Sequence, residues 1–263
     1  MTVEIPAITL AAPAKLTLSL HITGRRDDGY HFIDAEMVSL ELADRLELTN
    51  IVDADLDSSV SDVAVTASRS TITVSDRETG QAIDVGSAED NLVTKALQLI
   101  HRRADVRLIK AIPAGAGLGG GSSDAAAILH WGDCRDLNEA ARIGADVAFC
   151  LSGGRARVQG IGEIVEPLTF AAMEFTLALC PFGCSSAEVY RTWDRLGGPT
   201  GPGSNDLETA ALATEPRLTE WRDSLGNATG QTPRLAGSGS TWFVQGAFPG
   251  PGRIVTRAAP ARF

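Results

Sequence analysis

Apolar positions change period several times along the chain, and each change marks an expected element. Residues 8–22 are largely apolar with period-two stretches (Leu16, Leu18, Leu20), which predicts a buried strand or strand pair interrupted at Ala12-Pro13. Residues 36–49 alternate through Met37, Leu40, Leu42, Leu46 and Leu48 as strand, with a bend at Ala43-Asp44. The stretch 51–87 is polar and β-leaning, and Ile72-Thr73-Val74 is its clearest strand. The period then lengthens: Leu92, Val93, Ala96, Leu97 and Ile100 predict a helix over 91–103, capped by Asp90. Residues 106–112 read as strand, 121–131 as helix, and 137–142 as a short helix. Strands are expected at 155–158, 164–168 and 175–180. Ser185 and Glu188 then form a capping box, opening a helix that carries Tyr190, Trp193 and Leu196. A Gly/Pro-rich loop (196–204) leads to helices at 205–213 and 216–225. A strand, turn and strand occupy 234–245, and Ile254-Val255 suit a last edge strand.

One stretch breaks all periodicity. Between the strand ending at Ile112 and the helix that follows stands Pro113-Ala114-Gly115-Ala116-Gly117-Leu118-Gly119-Gly120-Gly121-Ser122-Ser123. Glycine opens positive φ, so successive N–H groups can turn inward onto an anion. The free N–H groups and dipole of the next helix add to that pull. A flexible linker does not sit between an apolar strand and an amphipathic helix, so the stretch reads as a phosphate cradle. It is not a P-loop, because no Gly-Lys pair occurs in the chain. Nor does it open a first βα unit with an acid about twenty residues on, as a dinucleotide fingerprint would.

Composition narrows the classes. A chain of 263 residues suits one large or two modest domains with a real core. A net charge of −10 argues against nucleic-acid or anionic-membrane partners, which need a basic face. Cys134, Cys150, Cys180 and Cys184 lack metal spacing and read as structural thiols of a reducing compartment. No apolar run approaches a membrane span and no signal pattern opens the chain, so a soluble cytoplasmic protein is expected.

A few side chains stand out within this frame. Lys15, one of only three lysines, lies in an apolar strand and needs an anionic partner, unless it is an edge lysine reaching water. Asp28-Gly29 makes a turn, and Tyr30 and His31 stand at its exit. An aromatic face and an imidazole there can read a flat heterocycle, or they are simply surface and strand residues. Asp146, bracketed by Ile143-Gly144-Ala145 and Val147-Ala148-Phe149, is either a helix cap, a paired core acid or functional.

Taken together, Pro113 to Ala126, Pro13-Ala14-Lys15-Leu16, Gly24 to His31, Gly144 to Phe149, Ser204 to Glu208 and Gly237-Ser238-Gly239 resemble, in order, the motifs of the GHMP small-molecule kinases. The Asp-Gly-Tyr-His and Asn-Asp-Leu-Glu segments resemble the branch whose substrate is a cytidine diphosphate-linked polyol. The resemblance implies an α+β GHMP kinase fold: a ribosomal S5 domain 2-like domain over 1–152 and a ferredoxin-like domain over 153–263. It implies ATP, with its phosphates on Pro113 to Ser123 and Asn91 on the adenosine side, and Mg2+ held by phosphates, Ser122 or Ser123, and water. It implies Asp146 as base and Lys15 as its charge partner. Tyr30, His31, Tyr190 and the turn Gly237, Ser238 and Gly239 fall to the substrate side. No protein metal-ligand set is expected, and a monomer or weak homodimer is. Two departures stand against the family pattern: Thr17 replaces an asparagine, and the 22 positions from Asp124 to Asp146 make a short connection. Another small-alcohol kinase of the family, or a nucleotide-binding relative without turnover, shares the same phosphate-side residues.

Overall fold

The computed structural model describes residues 7–53, 70–83, 90–201 and 204–261. Its spine is one long strand. β2 (His31–Asp53) pairs antiparallel along one side with β1 (Ile8–Arg25), from Ile8 opposite Leu48 to Arg25 opposite His31. Three strands share its other side: β5 (Arg155–Gly160) on Ile33 to Val38, β10 (Ile254–Ala259) on Ser39 and Leu40, and β4 (Arg102–Lys110) on Arg45 to Asp53.

The breaks expected at Ala12-Pro13 and Ala43-Asp44 are a single feature. Both strands run through, and the register shifts between Pro13 opposite Ala43 and Lys15 opposite Ser39. Proline has no N–H for the ladder, and a bulge absorbs the mismatch while re-aiming the residues after it. The Lys15 N–H then leaves the ladder and donates to Leu118 O in the glycine loop, at 2.9 Å.

β3 (Ile72–Asp76) lies parallel to β4, and β6 (Ile164–Pro167) continues the sheet beyond β5. β5 and β6 follow position 152 yet belong to the first sheet, so the change of sheet falls at β7 (Glu174–Ala178). β7 pairs with β9 (Trp242–Gln245), which pairs with β8 (Arg234–Leu235). β10, expected at an edge, sits between β2 and β7 and joins the two halves. Its alternating buried residues Thr256 and Ala258 are what an interior strand requires.

Helices cover the first sheet. α1 (Leu92–Leu99) is capped by Asn91, whose Oδ1 accepts from Val93 N, rather than by Asp90. It ends early because His101 takes φ 52° and β4 begins at Arg102, four residues before the expected strand. The alternating burial of Ala104, Val106 and Leu108 overrides the helical reading there. α2 (Gly120–Trp131) is buried from Ser123 through Leu129 without a break, so it is wrapped on all sides and not laid on a surface. Its Ala125, Ala126 and Ala127 let α1, α4 (Val147–Ser152) and β1 approach closely. α3 (Leu137–Ile143), capped by Asp136, fills the short connection before α4. In the second half, α5 (Ser186–Arg195), α6 (Glu208–Thr214) and α7 (Leu218–Thr229) pack with β7 and β9 around Trp242, Leu207 and Val189. A third cluster, with Leu16, Val38, Phe175, Leu177 and Phe243, closes the seam between the sheets. Burying each such side chain is worth roughly 1.5–3 kcal/mol, which makes the seam a stable wall for a cleft.

Candidate active site

The glycine loop leaves the sheet where a side chain takes over from the ladder. The β2–β4 pairing stops at Arg45 opposite Ile109. The next free N–H groups, of Ala111 and Ile112, both donate to Asp44 Oδ1, at 2.5 and 2.8 Å. Lys110 Nζ donates to Asp44 Oδ2 and, at 2.8 Å, to Asp124 Oδ2 on α2. Burial acts to lower the Lys110 pKa, but the carboxylates of Asp124 and Asp44 outweigh it and leave it raised. Burial raises the Asp124 pKa, and Lys110 only partly offsets this because Asp44 shares the same cation.

Within the loop the chain needs glycine at defined points. Gly117 (φ 74°) runs against the carbonyls of Ala236 and Gly239, and no Cβ fits between them. Gly119 (φ 65°) is the N-cap of α2, and a Cβ there would meet Lys15 Cγ at 2.6 Å. Since α2 has no side-chain cap, its first-turn N–H groups face the cleft unpaired by any capping side chain, a ready anion site.

Lys15 is buried beside that helix start. Its Nζ donates to Thr17 Oγ1 at 3.1 Å and stands 3.3 Å from Asp146 Oδ2. Asp146 occupies the N-cap position of α4 but makes no capping bond, so its carboxylate faces the lysine instead. Thr17 thus stands where the family pattern has an amide and holds the ammonium through a hydroxyl. The turn of Gly237 closes over the pair: a Cβ on Gly237 would lie 3.5 Å from Thr17 Oγ1 and 3.6 Å from Lys15 Nζ. Buried Asn205 holds this turn, donating to Leu235 O and Gly237 O at 2.9 and 2.8 Å. Ser238 Oγ meets Ser186 Oγ at 2.7 Å.

At the other end of the cleft, His31 Nε2 bonds Asp194 Oδ1 at 2.8 Å, and its ring stacks on Tyr190 with centroids 4.9 Å apart. Trp193 meets the same imidazole edge-on. Burial raises the Tyr190 pKa, and the charge of Asp146 adds to the shift, so the phenol is neutral. Tyr30 is 59% exposed at the rim, under the Arg26 guanidinium.

One cavity of about 930 Å3 joins these parts. Lys15, Asp146, Tyr30, His31, Asn91, Tyr190, Gly237, Ser238 and every loop residue from Pro113 to Ser122 line it. Ser123 and Gly239 do not. The Ser123 hydroxyl donates to Pro13 O at 2.6 Å, pinning α2 to β1, and Gly239 backs Gly117 from behind. Lys110, Asp124, Arg25 and Asp194 also line the cavity and were not among the expected site residues. The signals for two of them were present: Lys110 is one of three lysines and directly precedes the loop, and Asp194 lies one helical turn after Tyr190.

Residues 91–154 match the GHMP kinases N terminal domain. The 4-diphosphocytidyl-2-C-methyl-D-erythritol kinase of Paracoccus denitrificans is 34% identical over 253 residues, covering 89% of this chain and 85% of the relative. That of Cereibacter sphaeroides is 34% identical over 280 residues, covering 95% and 93%. A crystal structure of 4-(cytidine 5'-diphospho)-2C-methyl-D-erythritol kinase superposes with a TM-score of 0.70 at 25% identity, over 96% of this chain and all of that one. The mevalonate pyrophosphate decarboxylase of Streptococcus pyogenes, at 11% identity and a TM-score of 0.61, shares the fold. With its α+β GHMP kinase fold, the chain belongs to the 4-diphosphocytidyl-2-C-methyl-D-erythritol kinase family of the GHMP kinases and is a small-molecule kinase.

Proposed function

We propose that the chain transfers the γ-phosphoryl group of ATP to the 2-hydroxyl of 4-diphosphocytidyl-2-C-methyl-D-erythritol, a step of non-mevalonate isoprenoid biosynthesis carried out in the cytoplasm. The observation that carries the reading is the Lys15–Asp146 pair, 3.3 Å apart, set between the glycine loop and the His31–Tyr190 stack in one cavity. The loop amides and the start of α2 receive the phosphates. His31 and Tyr190, with Tyr30 at the rim, receive the cytosine. The substrate hydroxyl then falls beside Asp146.

Asp146 takes the hydroxyl proton as the oxygen attacks the γ-phosphorus and ADP leaves. Lys15 pairs with that carboxylate, orients the hydroxyl and offsets charge on the transferring group. Transfer of this kind is mostly positioning and charge stabilisation, so two side chains and a loop are sufficient machinery. A magnesium ion, when bound, supplies further neutralisation of the phosphates. Among the described residues no three His, Cys, Asp or Glu side chains are grouped to hold an ion between them. Ser122 and Asp124 are among the residues lining the cavity, and so sparse a set fits an ion carried chiefly by the nucleotide.

The test is ATP consumption by the purified protein with this substrate, beside Asp146→Asn. Product from the wild type and none from the variant is the expected result. Binding of ATP or substrate without turnover would instead make it a nucleotide-binding relative, and binding of neither would overturn the reading.

A further inference from the structure

Asp44 touches neither Lys15 nor Asp146, and it is absent from the cavity wall. Its side chain is nevertheless completely buried in an ion triplet with Lys110 and Asp124. Burying three charges in that arrangement is costly unless every bond is made. An apolar trio of similar size could fill the space between β2, β4 and α2, but would leave the N–H groups of Ala111 and Ile112 without their acceptor.

The placement of the bonds gives the triplet a use. Asp44 Oδ1 holds the N–H groups of Ala111 and Ile112, the two residues through which the chain enters the glycine loop. Asp44 Oδ2 holds Lys110, which in turn holds Asp124 in the second turn of α2, where the chain has left the loop. Both ends of the loop are therefore tied to one carboxylate. Lys110 also fills the space beneath the helix start, since a Cβ on Gly120 would lie 3.0 Å from its Nζ. The same turn of α2 is tied to β1 by the Ser123 hydroxyl on Pro13 O, two residues before Lys15.

We propose that Asp44 is a positioning residue of the kinase reaction. Through Lys110 and Asp124 it fixes the width of the glycine-loop mouth, and with it the position of the nucleotide phosphates relative to Lys15. This rests on the reading that the loop carries those phosphates. A fixed mouth matters because misplacing a reacting group by about 1 Å can cost roughly 100-fold.

Asp44→Asn tests it. The amide oxygen still accepts from Ala111 and Ile112, and Lys110 keeps Asp124 as its counter-ion, so the fold is expected to hold. The KM for ATP should rise about 10- to 100-fold, and ADP affinity should fall with it. The KM for the cytidine substrate at saturating ATP should stay within about twofold, because no bond of the triplet reaches His31 or Tyr190. Combining Asp44→Asn with Asp124→Asn should cost less than the sum of the two, as for groups acting as one unit. A lowered melting temperature with both KM values unchanged would show a structural role only, and equal changes in both KM values would also overturn the proposal.

If Asp44→Asn does not fold, Asp124→Asn releases the α2 end alone. It should weaken ADP more than adenosine, measured by calorimetry, whereas a lost wall contact to the nucleoside would weaken both alike and count against the clamp. A wild type that neither turns over nor binds ADP would overturn the parent reading and the clamp's role together.

Discussion

Lys15 and Asp146 stand 3.3 Å apart with unequal access to water: the lysine side chain is 8% exposed, the aspartate 33%. The asymmetry suits their proposed parts. A base must reach a substrate hydroxyl, whereas its partner need only hold a charge in place. Buried Thr17 accepts from the same ammonium and helps to hold it in place. Asp146→Asn is expected to lower kcat by about 10²–10⁴-fold, the usual worth of a positioned base. The fold should hold, with some loss of melting temperature because Lys15 is left buried with Thr17 as its hydrogen-bond partner. Lys15→Met should lower kcat by a similar factor. Steady-state kinetics with thermal denaturation checks both, and a large loss of stability in Asp146→Asn with kcat intact would make the acid structural.

Gly119 couples the loop to the same lysine. At φ 65° an alanine costs about 1–2 kcal/mol in backbone energy alone. A methyl group there would also push on Lys15 Cγ, 2.6 Å away, and so displace the ammonium from Asp146. Gly80 is the natural control: its φ is 68° and nothing lies within 4 Å of its Cβ position. Gly119→Ala should lose stability and kcat together, while Gly80→Ala should lose only the backbone share of stability. Equal kcat in the two variants would refute the coupling.

His31 is held from two directions, by Asp194 through Nε2 and by Tyr190 through its face. A ring so fixed presents its remaining edge to the cavity without searching for a rotamer. Asp194→Ala removes a hydrogen bond to a charged group, worth about 1.5–3 kcal/mol, or roughly 10- to 100-fold. That loss should fall on the KM of the cytidine substrate and leave the KM for ATP alone. If ATP were affected equally, the His31 end would not be the cytosine site.

How far the site was legible differs between its parts. The glycine loop announced itself because no regular element tolerates five glycines in nine residues, and Lys15 because charge in an apolar strand is expensive. Asp44 gave no such sign, and the rarity and position of Lys110 did not show what it bonds. Asp44 reads locally as a bend residue and Lys110 as the polar end of a strand, and only the β2–β4 register brings them together. Pairing of that range leaves no trace in a short window, which is also why β10 looked like an edge strand. Tyr190 was expected on the substrate side, and its stack on His31 within the cavity is set by tertiary packing and not by either residue's neighbours. Asn91 was expected on the adenosine side, with Asp90 as the helix cap. Its side chain caps α1 while the residue also lines the cavity.

Glu208 carries a pH dependence of stability that lies apart from the chemistry. It opens α6 only 5% exposed, and burial pushes its carboxyl up from 4.5 to about 7, against the charge of Arg222 and the Leu235 main-chain hydrogen bond. A carboxyl raised in the folded state binds more protons there than in the unfolded chain between pH 4.5 and 7. Its contribution to stability is therefore full below about pH 4.5 and falls as pH rises, reaching its minimum above about 7. Glu208→Gln keeps an acceptor for Leu235 and abolishes the titration. The variant should melt higher than the wild type at pH 8, by on the order of 2 kcal/mol in stability, and the gap should close as pH is lowered to 5. Melting curves of both proteins across that range measure it. A gap that does not change with pH would mean that Glu208 ionises in the folded protein as it does in the unfolded chain.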